Sequence, residues 1–409
     1  MLKKKKLHSN IKKSTALSIY NMIPSVTKNL CLADDITIYD STLRDGEQMP
    51  GVSFSMQQKI AIARKLDEMK IPEIEAGFPA VSQQEKQTIK KITSEGLNAK
   101  ILVLSRLKKE DIDAAIQTNA DMILLFIAAS PLHLHYKLHL SLDEIKEKIV
   151  DSIQYAKDHG IQPSFSTEDS TRTPLNDLKE LVTLAVETGA QRIGFTDTVG
   201  CATPESIQYL FSEMRKIVST PFSAHLHNDF GLGLCNALTA LSSGANHVCT
   251  TINGRGERAG NIPLEQLVMT LQILYNKNLG IDTTQFTSLS KMISEYTKIP
   301  IPPTQPFVGS NIFAHESGIH VAAILENPHT YEPITPELVG NTRQLLIGKH
   351  SGRHIIQKIL LENNITVDDS SLEIITKKIK TLAEKKIQLS HQDILCLAEK
   401  IQQEQKKYG

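Results

Sequence analysis

The chain has 409 residues, with Lys+Arg and Asp+Glu both at 45 and a formal net charge of zero, so it lacks the basic surplus of a nucleic-acid binder. Hydrophobic residues make up 40% and charged residues 22%, an ordinary balance for a soluble globular enzyme, and the length suits one large barrel plus an appendage. No stretch approaches the roughly 18 uninterrupted apolar residues of a membrane span, and Cys31, Cys201, Cys235, Cys249 and Cys396 form no CxxC pair, which argues against a disulfide scaffold or a thiolate zinc site and for a reducing compartment.

Residues 1–34 form a basic N-terminal extension, with Lys3 to Lys6, Lys12, Lys13 and Lys28 and no acid before Asp34. A solvated tail on a cytoplasmic protein is the favoured reading. An organelle transit peptide is the alternative, set back by the absence of arginine.

From Ile36 short apolar runs alternate with helical patterns. The runs are ITIYD (from Ile36), IPEIEAGF (from Ile71), AKILVLS (from Ala99), DMILLFIAA (from Asp121), IQPSFSTE (from Ile161), RIGFTDT (from Arg192), FSAHLHND (from Phe222) and HVCTTING (from His247). Most are rich in Ile, Val, Leu or Phe, as parallel strands covered by helices should be. Between them, MQQKIAIARKLDEM carries an apolar stripe at Ile60, Ala63, Leu66 and Met69, and the segment after Ser141 runs as a helix to a glycine. Strand then helix, eight times over roughly 250 residues, predicts a (β/α)8 TIM barrel over residues 35–280. An open doubly wound sheet is the alternative, disfavoured because no GxGxxG turn follows the first strand. Residues 281–409, with a proline cluster near Ile299 to Pro306, read as a linker and a mostly helical C-terminal subdomain.

Barrel enzymes keep their chemistry at the C-terminal ends of the strands. The first run ends at Asp40 and leads into STLRDGEQ, with Arg44, Asp45, Glu47 and Gln48. The seventh carries His225 and His227, two apart and therefore on one face, either the interior or the helix-covered wall. The eighth leads into GRGERAGN, with Asn261. Strands seven, eight and one are neighbours in a closed barrel, so Asp45, His225, His227 and Asn261 converge on one rim. This mixed N/O set suits Mg²⁺, Mn²⁺ or Zn²⁺ with open positions for substrate. Each piece alone has a plainer reading: a structural HxH pair, a tight glycine turn, a salt-bridged loop. His133 and His135, after the fourth run, lie across the barrel from the eighth and are read as a polar loop or a substrate contact. An ion held there would act as a Lewis acid on a chelating oxygen substrate, and Arg44 beside that oxygen would assist.

Together TLRDGEQ, HxHND (His225 to Asp229), GxGERxGN (Gly254 to Asn261) and HESGIH (His315 to His320) resemble the motifs of the 2-isopropylmalate and homocitrate synthases, over about residues 35 to 355. The resemblance implies acetyl-CoA as co-substrate, a 2-oxo acid acceptor, and a Claisen condensation followed by thioester hydrolysis. It implies Asp45, His225 and His227 as metal ligands with Asn261 close by, and Arg44 as the group that polarises the ketone. Glu168 would assist proton transfer, and Gln48 and Thr198 would line the substrate site. Arg106, at the end of the third strand, is read either as a contact to the distal carboxylate of 2-oxoglutarate or, equally well, as a helix-start arginine. His320 and Tyr331 would form a base-and-helper pair reaching over from the partner subunit of a homodimer.

EAGFPA, DTVGCATP and HESGIHV favour 2-oxoglutarate and homocitrate. Against this, many lysine-pathway enzymes carry REGEQ and a histidine after the third strand, where this chain has Asp45 and Arg106. 2-Isopropylmalate synthase acting on 2-oxoisovalerate is therefore the alternative. Leucine-pathway synthases usually carry a further C-terminal regulatory domain, and the sequence runs only about 60 residues past GKHSGR (from Gly348), so feedback inhibition through such a domain is not counted on. A lyase of the 3-hydroxy-3-methylglutaryl-CoA type is disfavoured because the loop after the eighth strand has no cysteine. A non-catalytic barrel is disfavoured because every candidate ligand and base is present.

Overall fold

A computed structural model of the protein describes residues 16–27, 32–347, 352–385 and 391–408. The lysines of the N-terminal extension, Cys31 and residues 348–351 of the GKHSGR motif lie outside the described residues.

Eight parallel strands close into a barrel in sequence order: β1 Thr37–Asp40, β2 Glu73–Gly77, β3 Lys100–Arg106, β4 Met122–Ala128, β5 Gln162–Glu168, β6 Arg192–Asp197, β7 Phe222–Leu226 and β8 His247–Thr250. The ring is sealed by β8 pairing with β1, Thr37 opposite His247 and Asp40 opposite Thr250. All eight expected strands form, and the expected TIM barrel is the fold. Several helices start where short polar side chains satisfy backbone N–H groups that have no partner within the helix. Ser55 and Gln58 make a reciprocal capping box at Met56–Glu68, and Ser141 with Glu144 does the same at Leu142–Asp158.

The pleat sorts each strand. On β2, Ile74 and Ala76 are fully buried beneath the outer helices, while Glu73 and Glu75 point into the cylinder. Tyr39, Leu102, Met122, Leu124 and Cys249 fill the interior. At its N-terminal end Glu73 takes two 2.7 Å hydrogen bonds from Arg192. These two residues open β2 and β6, on opposite sides of the ring, so their ion pair spans the barrel floor.

The barrel belongs to a compact unit running from Ile23 to Ile301, which also includes the helix Phe286–Thr297. A second unit comprises the described residues from Pro302 onward together with residues 16–22. Within it Ala314–His315 pairs in parallel with Gln344–Leu345. Helices Gly318–Glu326, Arg353–Glu362, Asp369–Glu384 and His391–Tyr408 share an apolar core of Val321, Ile355, Ile356, Ile359, Leu372, Ile375, Ile379 and Ile394. The C-terminal region is helical, as its sequence predicts.

Candidate metal centre and active site

After β1 the chain coils tightly. The Ser41 carbonyl accepts from the N–H groups of Arg44, Asp45 and Gly46 at 3.1, 2.8 and 3.1 Å, which turns two charged side chains toward the C-terminal mouth. The coil is stapled from beneath by Lys59, a fully buried lysine. Its ammonium reaches the Leu43 carbonyl at 3.1 Å, Glu47 at 2.6 Å and Glu85 at 2.7 Å. Arg44 is held by Glu75, donating from Nε to Oε1 at 2.6 Å and from Nη2 to Oε2 at 3.1 Å, and its Nη1 donates to Asp45 Oδ2 at 2.7 Å. Burial opposes the charge on Arg44, yet Glu75 and Asp45 beside it hold its pKa above the ordinary value. Burial likewise opposes the Asp45 carboxylate, but Arg44 and His225 hold its pKa well below the usual range. Both groups are therefore charged.

Both histidines of β7 and its end face the interior. His225 Nε2 lies 3.2 Å from His227 Nε2, and Asp45 Oδ2 is 3.3 Å from the first and 3.9 Å from the second. A circle through those three atoms has a radius of about 2 Å, the length of a Zn–N or Mg–O bond. Among the described residues, Asp45, His225 and His227 are the one group of three or more His, Cys, Asp or Glu side chains spaced to hold a metal ion. Burial, with His225 adjacent, pushes the His227 pKa down to about 4, so its lone pair is available at neutral pH. Asn261 donates from Nδ2 to Asp45 Oδ1 at 2.9 Å, while its Oδ1 is buried without a partner. Exchanging amide N and O turns that unpaired oxygen onto the acidic cluster, an arrangement a cation favours. Gly256 makes the close approach feasible. At φ +158° a Cβ there would stand 2.2 Å from Asn261 Nδ2 and 2.8 Å from Asp45 Oδ1.

These groups open onto a cavity of about 360 Å³ lined by Arg44, Asp45, Gln48, Glu168, Thr198, His225 and His227. Its far wall is apolar, with Leu104, Leu124 and Phe126. Glu168, at the end of β5, points inward with both oxygens on Lys137 Nζ at 2.6 and 2.8 Å. Thr198 Oγ1 accepts from the Asp169 N–H at 2.8 Å.

Other expected residues stand elsewhere. Arg106 is half-exposed and paired with Asp111 at 2.5 Å, away from the cavity lining. His320 and Tyr331 belong to the second unit, both exposed, with ring centroids 4.1 Å apart. Three contributors escape a reading of the sequence: Glu75, Lys137 and Lys59. Glu75 left a usable signal, since two acids two apart in the apolar run of β2 have no place under a helix layer and must face the interior. Lys137 and Lys59 read as surface lysines, and only partners distant in sequence give them their roles.

A profile described as HMGL-like matches residues 35–293, and one described as homocitrate synthase post-HMGL domain-like matches 307–387. The chain belongs to the homocitrate synthase and 2-isopropylmalate synthase family. Homocitrate synthase AksA of Methanocaldococcus jannaschii is 49% identical, over 86% of this chain and 87% of the relative. The protein of that name from Methanopyrus kandleri is 44% identical, over 90% and 93%. The 2-isopropylmalate synthase of Methanocaldococcus jannaschii is 45% identical, over 93% of this chain and 74% of the relative. Among solved structures, an HMG-CoA lyase of Bacillus subtilis superposes with a TM-score of 0.61 at 19% identity, over 66% of this chain and 96% of that one. At that identity the likeness speaks for the family's barrel fold alone.

Proposed function

We propose that the protein is an acyltransferase that condenses acetyl-CoA with 2-oxoglutarate to give homocitrate and CoA. The observation that carries the chemistry is the meeting of Asp45, His225 and His227 beside Arg44 at the mouth of the barrel. The choice of 2-oxo acid rests on the relatives named homocitrate synthase.

The donor set and its spacing fit Mg²⁺, Mn²⁺ or Zn²⁺, and Asn261 would join as a fourth ligand through its amide oxygen. A divalent ion bound there would supply Lewis acidity to a chelating 2-oxo acid. The remaining steps fall to the protein. Arg44, fixed by Glu75, presents a guanidinium where negative charge develops on the ketone oxygen. Gln48 and Thr198 orient the substrate, Thr198 beside its carboxylate. Glu168 assists removal of a proton from the acetyl methyl group. His320 and Tyr331 act as base and helper across a homodimer, reaching the barrel of the partner subunit.

The test is to incubate purified protein with acetyl-CoA and Mg²⁺ or Mn²⁺, and separately with 2-oxoglutarate, 2-oxoisovalerate or pyruvate, and to follow free thiol. Fastest release is expected with 2-oxoglutarate. The apolar wall of Leu104, Leu124 and Phe126, with Arg106 turned to Asp111, favours a second reading: 2-isopropylmalate synthesis from 2-oxoisovalerate. Preference for that acid would shift the substrate and keep the reaction class.

A further inference from the structure

The turn that follows β4 has an unusual build. Ser130 caps it, accepting from the His133 N–H at 3.3 Å, and residues Leu134–Leu138 wind as a π-helical turn that ends at His139 in the left-handed region, φ 53°. Such wide turns are less stable than α-helix and persist where they place a side chain. Here the side chain is Lys137. Its ammonium is shared by both oxygens of Glu168, and His133 Nδ1 stands 3.5 Å from the same carboxylate. That nitrogen is buried with no hydrogen-bond partner. The segment is tied down at its root as well, since Ser130 donates its hydroxyl to the buried Asp169, the residue after Glu168. Asp169 is itself left-handed, φ 63°, and is gripped by Arg172 at 2.8 Å.

We propose that Lys137 is a positioning residue for the condensation: it holds Glu168 by both oxygens in the orientation from which that carboxylate works at the acetyl group, with His133 as a second wall. This rests on the role given to Glu168 above. A plain surface ion pair would contribute little and would need no particular backbone. This pair has a bidentate geometry, a carboxylate that lines the reaction cavity and a turn whose backbone is shaped around it. Its effect belongs in the chemical step, because a carboxylate that swings through several rotamers spends less time placed to assist removal of the acetyl proton.

The experiment compares Lys137→Met, Lys137→Arg and Glu168→Gln with the unaltered enzyme, measuring kcat and KM for both substrates and the rate ratio between acetyl-CoA and its methyl-deuterated form. Circular dichroism melts check that all three fold. For Lys137→Met, kcat should fall roughly 10- to 100-fold, a part of the range general acid–base groups supply, with each KM within about threefold and a larger deuterium effect. Lys137→Arg should recover most of the rate. A raised KM for the 2-oxo acid at unchanged kcat would overturn the proposal by making Lys137 a substrate ligand. Unchanged kinetics in Lys137→Met beside an inactive Glu168→Gln would overturn it while leaving the role of Glu168 intact. Full activity in Glu168→Gln would remove that role itself, and the proposal with it.

Discussion

At the scale of single residues, the proposed metal centre depends on three candidate ligand atoms that are close only because two imidazoles leave one strand end on the same side. Removing one of them breaks the set. His227→Ala is expected to lose metal uptake by titration calorimetry and to lose thiol release, while its circular dichroism spectrum stays native. Near-normal activity would disprove the metal assignment. Lys59 makes a contrasting case, since it touches no substrate. Lys59→Met leaves Glu47 and Glu85 facing each other around a buried apolar chain, and breaking such a pair costs about 3–5 kcal/mol. A urea unfolding series should show that loss, together with weaker metal binding, because the loop bearing Asp45 loses its staple.

The spacing of the histidine pair put both rings on one face without saying which, and the adjacency of the first, seventh and eighth strands pointed to the interior, where the structure has them. Asp45 was legible as a charged residue in the turn five positions past β1, and Asn261 only as the end of the GRGERAGN loop, eleven positions past β8. Lys59 was not, because it sits in MQQKIAIARKLDEM where any helix would show solvent a lysine, and its partners come from two other segments. Arg106, at the end of β3, had two equal readings, a substrate contact or a helix-start arginine, and in the structure it pairs with Asp111 on the next helix. A neighbour five residues away decides that, and charge pairing of this kind is invisible until the turn is built.

At the scale of elements, the loop after β8 does for Asn261 what the coil after β1 does for Asp45. Its backbone at Gly256 has the positive φ of +158° that only glycine adopts readily. Gly256→Ala would drive a methyl group between the amide of Asn261 and the carboxylate of Asp45. Metal affinity is expected to drop at least tenfold, with a smaller loss of thermal stability, and unchanged affinity would show that Asn261 is not needed at the centre. The strands themselves were read with ends within a few residues. Their composition told the fold class, since buried parallel strands have no polar face. The π-helical turn after β4 had no such signature, because its geometry answers to Glu168, 31 positions away from Lys137.

At the scale of the whole molecule, the barrel floor carries a pH dependence of its own. His247 opens β8, and burial, together with the nearby Arg192, pushes its pKa down to about 3. The unfolded chain takes up that proton near the ordinary histidine value and the folded one does not. Stability is therefore full above about pH 6.5 and is lost as the pH falls toward 3. Between pH 7 and 5 this group alone should cost about 2 kcal/mol, and His247→Gln should flatten that part of the urea-midpoint profile. The homodimer reading has its own check. Mixing His227→Ala with His320→Ala subunits should restore roughly a quarter of the activity if each site draws on both chains of a symmetric pair, and none if each subunit works alone.

The ion pair between Glu73 and Arg192 has a kinetic consequence. It corks one end of the cylinder, so everything that enters or leaves must share the opposite mouth. On the proposed function the keto acid would seat deepest, against the histidines, with the bulky thioester above it. Arrival is then expected to follow a queue, small molecule first and coenzyme second. Inhibition patterns with a dead-end analogue of each should reveal that order.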